Sequence, residues 1–378
     1  MPSPRSVTRC SVAADASADR RELLRDVAES LTRLPYTTWA FGDSVAFDGL
    51  VAASDVLGDD RWMSFARGWF RAWANRAEPY RRLDCTAPGL AMVHVYERTG
   101  DSLVAEAAYR LATYLISRPT LGGVFATWEA SPLRHPYGPG ELPPAEVRLA
   151  AAPPPGVFVD CLHFDPPFFT ALGRALGDER LREIGVEQAI GYIRLLQDPQ
   201  TGLFHHFVLE GQAQPYALGW GRGQGWALLG LLDVLENIDA DHPSRDQLVV
   251  AAAALVRAMV AHRRDDGDWY AVVQVPSSGD ETSTAAFMAS GFVRAATLGA
   301  VPHGEIAEPA RQALRAVLRN VEGPILTGVS AAVWACTQLS HYSHVSRGHV
   351  VPWGQGPLTL ALAESLRVDS PLWSVAFE

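Results

Sequence analysis

The feature that most limits what this chain can fold into is a repeated helix–turn–helix unit. It occurs as DVLGDDRWMSFARGWFRAW from Asp55, YERTGDSLVAEAAYRLATYL from Tyr96 and ALGDERLREIGVEQAIGYI from Ala175. In each copy a glycine (Gly58, Gly100, Gly177) is placed to end one helix in the left-handed conformation. The aspartate after it (Asp59, Asp101, Asp178) is placed to cap the next helix. Behind the cap, apolar residues recur at three and four, as in Leu103, Ala107, Leu111 and Leu115. Similar patterns over 18–34, 44–57, 86–98, 163–175, 223–238, 243–262, 281–298, 303–319 and 355–368 complete a set of about twelve helices. Six hairpins close naturally into a double ring, with inner helices around a core, outer helices wrapping them, and a funnel of loops at one end. An open helical solenoid is the alternative. Strand signals are confined to short pieces such as Tyr270 to Val275.

Gly58 and Gly100 lie 42 residues apart, but Gly100 and Gly177 lie 77 apart. The surplus places an insertion at about 120–156. Its prolines (132, 136, 139, 143, 144, 153, 154 and 155) predict a long ordered loop without helix. The chain is therefore read as one domain over 1–378, with an N-terminal extension over about 1–17.

A formal net charge of −10 argues against nucleic acid as a partner, because phosphate binding needs clustered Lys and Arg. It leaves room for an anionic small substrate held by a few local arginines. Cys10, Cys85, Cys161 and Cys336 are scattered, with no CxxC spacing, so neither a zinc site nor a disulfide framework is expected. Residues 1–22 lack the apolar stretch of a secretory signal, and no apolar run is long enough to span a bilayer. A cytoplasmic protein is the expectation.

Five loop clusters carry candidate chemistry. In Val157-Phe-Val-Asp160-Cys-Leu-His163-Phe-Asp165-Pro-Pro, Asp165 precedes a proline and is the better candidate for the helix cap. Asp160 is left for chemistry. Its apolar neighbours predict partial desolvation, which favours the protonated form a general acid requires. Asp84, in Arg81-Arg-Leu-Asp84-Cys-Thr, is the candidate partner carboxylate, with capping as a rival role. Trp220-Gly-Arg222-Gly-Gln224-Gly-Trp226 is the most specific local signal: alternate glycines for close backbone approach, two tryptophans as platforms, and an arginine fork for a carboxylate. His205-His206 follow Asp198-Pro-Gln-Thr-Gly, and one of the pair is expected to face the funnel. Glu281-Thr-Ser283-Thr and Trp353-Gly-Gln-Gly open two later helices, and Thr282, Ser283 and Trp353 have capping or packing as rivals. The GxSxG, kinase and dinucleotide signatures are absent from the sequence, so the chemistry is read as carboxylate-based.

In their joint order, VDCLHFDPPF, DPQTGLFHHF, WGRGQGWALLGLLDVLE, ETSTAAF and WGQGPLTLALAE resemble the unsaturated glucuronyl and rhamnogalacturonyl hydrolases of glycoside hydrolase families 88 and 105. The resemblance runs from about Trp39 to Leu366. It implies an (α/α)6 barrel and a reaction that needs no metal or cofactor. It also implies hydration of the C4=C5 double bond of an unsaturated uronic acid at the end of a lyase-generated oligosaccharide. The hemiketal formed then rearranges and releases the sugar. By the same resemblance, Asp160 is the catalytic acid and Asp84 the second carboxylate. His206, Trp220, Arg222 and Trp226 contact substrate, with Trp39 and Trp353 as further candidates, and Gln224 replaces the usual Asn. A His-Lys pair common in the family is missing from Gly123-Val-Phe-Ala-Thr127-Trp128, so Arg134, His135, Tyr137 and Arg148 of the insertion are candidates for replacement contacts. Competing readings are a glycosidase on saturated glucuronides, a sugar epimerase pairing His206 with His163 or His344, and a non-catalytic carbohydrate-binding toroid.

Overall fold

The structure, a computed structural model, describes residues 4–36, 39–75, 80, 82–127, 133–138 and 141–367. Arg81, Trp128, Pro132 and Pro139 lie outside the described residues. Six helical hairpins follow one another, each an outer helix leading into an inner one. They are α1 (Pro4–Leu31) with α2 (Asp43–Leu57), α3 (Arg61–Ala74) with α4 (Gly89–Thr99), and α5 (Ser102–Ile116) with α7 (Cys161–Leu176). Then come α8 (Glu179–Leu196) with α9 (Gly221–Glu236), α10 (Arg245–Ala261) with α11 (Ser283–Thr297), and α12 (His303–Arg319) with α13 (Pro352–Leu366). The segment expected as an N-terminal extension is continuous with α1 from Pro4 onward.

The inner helices pack α2–α4–α7–α9–α11–α13 and back to α2, so the ring closes into an (α/α)6 barrel rather than an open solenoid. Sequence decides which helix is inner. In α9 every residue from Gly221 to Leu235 is buried, whereas α12 buries a single stripe of Ile306, Pro309, Ala310, Ala313, Leu314, Ala316 and Val317. A helix apolar all round belongs inside, and one with a single apolar stripe belongs at the periphery.

Gly58, Gly100 and Gly177 are left-handed, at φ 67°, 65° and 67°, and each ends an inner helix. Asp101 and Asp178 accept hydrogen bonds from the backbone N–H of Leu103 and Leu181, capping α5 and α8. Asp59 differs slightly: α3 starts one residue later, and Asp59 accepts from the N–H of Arg61 instead. These short turns lie at one end of the barrel, the rear. The long connections (32–42, 75–88, 117–160, 197–220, 262–282 and 320–351) run from outer to inner helices at the other end. All six inner N-termini therefore face the front, among the loops.

Three expectations need correction. The insertion does carry a helix, α6 (Pro144–Ala151), because Pro144 sits in its first turn, where a missing N–H costs nothing. It also contains the hairpin of β1 (Thr120–Leu121) and β2 (Val124–Phe125). The segment from Tyr270 to Val275 is not a strand. It makes isolated bridges, Tyr270 to Asp280 and Trp220 to Val272. The main sheet lies elsewhere: β3 (Gly156–Phe158), β4 (His205–Leu209) and β5 (Tyr216–Leu218), antiparallel, with a last short hairpin of β6 (Val321–Glu322) and β7 (Ile325–Leu326). Among the described residues no helix is long and apolar enough to cross a membrane.

Candidate active site

The sheet β3–β4–β5 sits on the front of the barrel and sorts its side chains by the two-residue period of a strand. Phe158 and Phe207 are cross-strand partners. With Leu209 they face Leu133 of the insertion and Ala335. Val157, Val159 and Val208 face the barrel core. His206 lies on this second face, so the register itself aims its imidazole at the mouth. The N–H of Val159 donates to the carbonyl of His206 (2.8 Å), which brings Asp160 beside that histidine.

His206 Nε2 stands 3.4 Å from Asp160 Oδ2. That oxygen is buried and has no hydrogen-bond partner among the described residues, while the Asp160 side chain as a whole keeps 13% of its exposure. On the other side of the imidazole, Nδ1 lies 2.5 Å from the hydroxyl of Tyr342. Burial, with lesser contributions from Cys336 and Asp160, raises the Tyr342 pKa well above its ordinary value. The phenol therefore stays protonated and shares a hydrogen bond with Nδ1. That contact leaves Nε2 turned toward Asp160. Trp220 packs on His206 at a ring separation of 4.2 Å and fixes the ring plane.

Asp160, rather than Asp165, directly precedes α7. Yet its side chain makes no cap hydrogen bond. Asp165, the expected cap, lies inside α7 and is buried, with Pro166 and Pro167 also inside the helix. Burial pushes the Asp165 carboxyl up to about 7 against the pull of Arg118.

Around this pair, the other candidate residues divide. Arg222 is fully buried, with its guanidinium 5.1 Å over the ring of Trp220 and 5.8 Å over that of Trp353. It donates to Glu281 (3.4 Å), Ser330 Oγ (2.7 Å) and the carbonyl of Ala331 (3.1 Å). The expected fork for a substrate carboxylate is thus turned inward, where it ties the loop after β7 to α9. Glu281 gathers the bonds of Arg222, Ser283, Thr284 and Ser330 and orders the start of α11. Thr282 and Ser283, the alternatives for that cap, are not the side chains that close it. Gln224 clamps Phe204 through both its N–H (2.7 Å) and its carbonyl (2.9 Å), which holds the entry to β4 and hence His206.

Trp226 lies in the core against Phe287, Phe164 and His163, so it offers no platform to a ligand. Six helical residues after Trp220 amount to about 240° of rotation, which turns it away from the mouth. The alternate glycines serve packing: a Cβ on Gly225 would lie 2.4 Å from Phe287, and one on Gly223 2.7 Å from Trp220. Trp39 is buried among Phe47, Trp69, Phe70 and Trp73. Trp353 stacks on Phe41 at 4.7 Å and donates to the Ser330 carbonyl. Asp84 lies on a 3-10 turn, Arg82–Thr86, that packs against α7, and it accepts a hydrogen bond from Trp73 Nε1 at 3.2 Å. The histidine pairings expected of an epimerase do not form. His163 lies 3.2 Å from Asp48 and 3.6 Å from Asp233, and His344 pairs with the Ser340 carbonyl.

Sequence reasoning missed Tyr342, and it missed Asp43 at the start of α2. Asp43 accepts from the N–H of Ala40, and burial pushes its carboxyl up to about 7. The six inner-helix N-termini add a positive potential at the mouth that favours an anionic ligand.

A closed double ring with a carboxyl–histidine pair at its mouth defines the class, an (α/α)6-barrel hydrolase. The sequence profile of Glycosyl Hydrolase Family 88 matches residues 20–369, and the chain belongs to that family. It is 26% identical, over 89% of its length and 92% of the relative's, to the unsaturated rhamnogalacturonyl hydrolase YesR of Bacillus subtilis (strain 168). Among solved structures it resembles a possible member of the GH105 family from Salmonella enterica serovar Paratyphi A, with TM-score 0.80 and 20% identity over 93% of this chain and 94% of that one. It also resembles the unsaturated glucuronyl hydrolase of Bacillus sp. GL1, with TM-score 0.66 and 19% identity over 93% and 96% of the two chains.

Proposed function

We propose that this hydrolase adds water across the C4=C5 double bond of an unsaturated uronic acid at the non-reducing end of an oligosaccharide. Asp160 delivers its proton to C4. Positive charge develops at C5 and the ring oxygen, where the carboxylate of Asp84 stabilises it. Asp160, now ionised, takes a proton from the water that attacks C5. The hemiketal at C5 opens and the rearranged sugar separates from its aglycone, with one water consumed and Asp160 protonated again. His206, oriented by Tyr342, steadies Asp160 Oδ2 through both protonation states. The observation that carries this reading is the partnerless, buried Oδ2 facing His206 at 3.4 Å.

The positive mouth suits the substrate carboxylate, and Trp220, buried between His206 and Arg222, positions the histidine. An unsaturated rhamnogalacturonyl disaccharide, the class in the name of the Bacillus subtilis relative, is the first substrate to test. Oligosaccharides from ulvan and glycosaminoglycan lyases follow. Turnover removes the conjugated double bond, so its ultraviolet absorbance falls, and Asp160→Asn abolishes that fall. Unchanged absorbance with all three classes would sink the proposal. A cytoplasmic site of action fits the buried thiols of Cys161 and Cys336, which form no disulfide.

A further inference from the structure

The loop between β7 and α13 holds a residue that neither the fold nor the chemistry above requires. Trp334 is 51% exposed, and its backbone is left-handed at φ 57°. A bulky side chain adopts that conformation only when its surroundings impose it. They do so here from both sides. The carbonyl of Val333, just before it, is held by His341 Nε2 at 2.6 Å. The carbonyl of Ala335, just after it, accepts from the N–H of Arg134 at 2.9 Å. A large indole is thus held out to solvent on a backbone pinned at each flank, and it makes no aromatic or cation–π contact among the described residues.

Its place along the loop ties it to the site. Three residues earlier, Ala331 is gripped by Arg222. The chain between them spans at most about 10 Å. Beyond it, His341 precedes Tyr342, the partner of His206. The insertion supplies the other wall. Tyr137 stacks on His341 at 4.7 Å and an interplanar angle of 14°, and the guanidinium of Arg134 lies 4.9 Å over Tyr137. Glu146 accepts from Thr337 and Gln338 and locks α6 to the same loop. Arg134 lies over Tyr137 and takes part in no ion pair among the described residues, so its charge is available to a ligand.

We infer that Trp334 and Arg134 form a leaving-group subsite, in which the indole stacks on the pyranose ring attached to the unsaturated uronic acid and Arg134 meets its oxygens. This rests on the hydration reading above for the identity of the substrate. A saccharide fits the chemistry of the pair. An indole face packs against the C–H face of a pyranose, while the guanidinium meets hydroxyl or acidic oxygens at its rim. The family's missing His-Lys contact is in this view replaced by groups on the insertion and the loop it braces.

The test compares two substrates that share the unsaturated uronic acid: a lyase-generated disaccharide and the corresponding methyl glycoside. For Trp334→Ala, the ratio of kcat/KM on the disaccharide to that on the methyl glycoside falls about tenfold. Trp334→Phe keeps most of that ratio, and Arg134→Ala lowers it less than Trp334→Ala does. An unchanged ratio in Trp334→Ala overturns the subsite. Should neither substrate react with the native protein, the hydration reading fails, and the subsite is then read by binding. In Asp160→Asn, a saturated disaccharide quenches tryptophan fluorescence and the quench is lost with Trp334→Phe added. A disaccharide that leaves the fluorescence of both proteins unchanged overturns it.

Discussion

The front and rear of the barrel both bury charge, but they treat it in opposite ways. At the rear, a cavity of about 110 Å³ is lined from all six inner helices, by Asp48, His94, His163, Asp233, Arg294 and Glu364 among others. There several acidic and basic groups stand within ion-pair distance. His163 lies between Asp48 and Asp233, and Arg294 pairs with Asp233 and Glu236. At the front, Asp160 has one histidine near one oxygen and no cation bonded to it among the described residues. The two regions meet within a single turn of α7, since Asp160 and His163 are three residues apart on one helical face. What the contrast teaches is that burial alone does not mark the functional acid. Asp233 at the rear lies between a histidine and an arginine, whereas Asp160 at the front has a histidine and no arginine beside it, an arrangement that suits the proton exchange proposed for it.

The comparison breaks if the two ends respond alike to substitution. Asp160→Asn lowers kcat/KM on the unsaturated disaccharide by about a thousandfold, while the urea midpoint stays near that of the native protein. Asp233→Ala acts the other way, since it strips one of two carboxylates from each of His163 and Arg294. It costs about 3–5 kcal/mol of stability in urea unfolding, with activity per folded molecule retained. A fall in activity without a fall in stability for Asp233→Ala would erase the distinction.

The rear also carries a pH signature. Burial alone would lower the His163 pKa, but Asp233 and Asp48 outweigh it and raise the group to about 9. A pKa raised above the unfolded value of about 6.5 contributes stability that is fully present below pH 6.5. That stability is lost as pH climbs through about 9, to the extent of roughly 3 kcal/mol. Urea unfolding between pH 6 and pH 10 should therefore show stability falling with pH, and His163→Gln should flatten the fall. The smallest effect belongs to the positioning hydroxyl. Tyr342→Phe removes the hydroxyl that hydrogen-bonds His206 Nδ1 and lowers kcat about tenfold, with KM and the urea midpoint little changed. Equal changes in kcat and in stability would make Tyr342 a packing residue instead.

Local chemistry was legible in the sequence, and distant pairing was not. The hairpins could be read because a left-handed glycine and a capping aspartate act within a few residues, as at Gly100 and Asp101. Asp160 stood out by its apolar neighbours. The β3–β4 sheet was invisible, because its short strands pair Phe158 with Phe207 across two intervening helices. Tyr342 was invisible for the same reason. It lies in a loop without periodicity, and its importance rests on a partner 136 residues away. Helix α6 was hidden by counting prolines without asking where they fall in a turn. Arg222 was recognised as special but assigned outward, because sequence gives no hint that Glu281 waits beside it in the interior.

In the proposed reaction Asp160 protonates carbon and water then adds, and solvent deuterium reads that step directly. Turnover of the unsaturated disaccharide in heavy water, followed by mass and proton NMR analysis of the released uronic product, should place one deuterium at C4 from the enzymatic step. A product released with its double bond intact and no deuterium at C4 would contradict the account, because it would mean direct cleavage of the glycosidic bond.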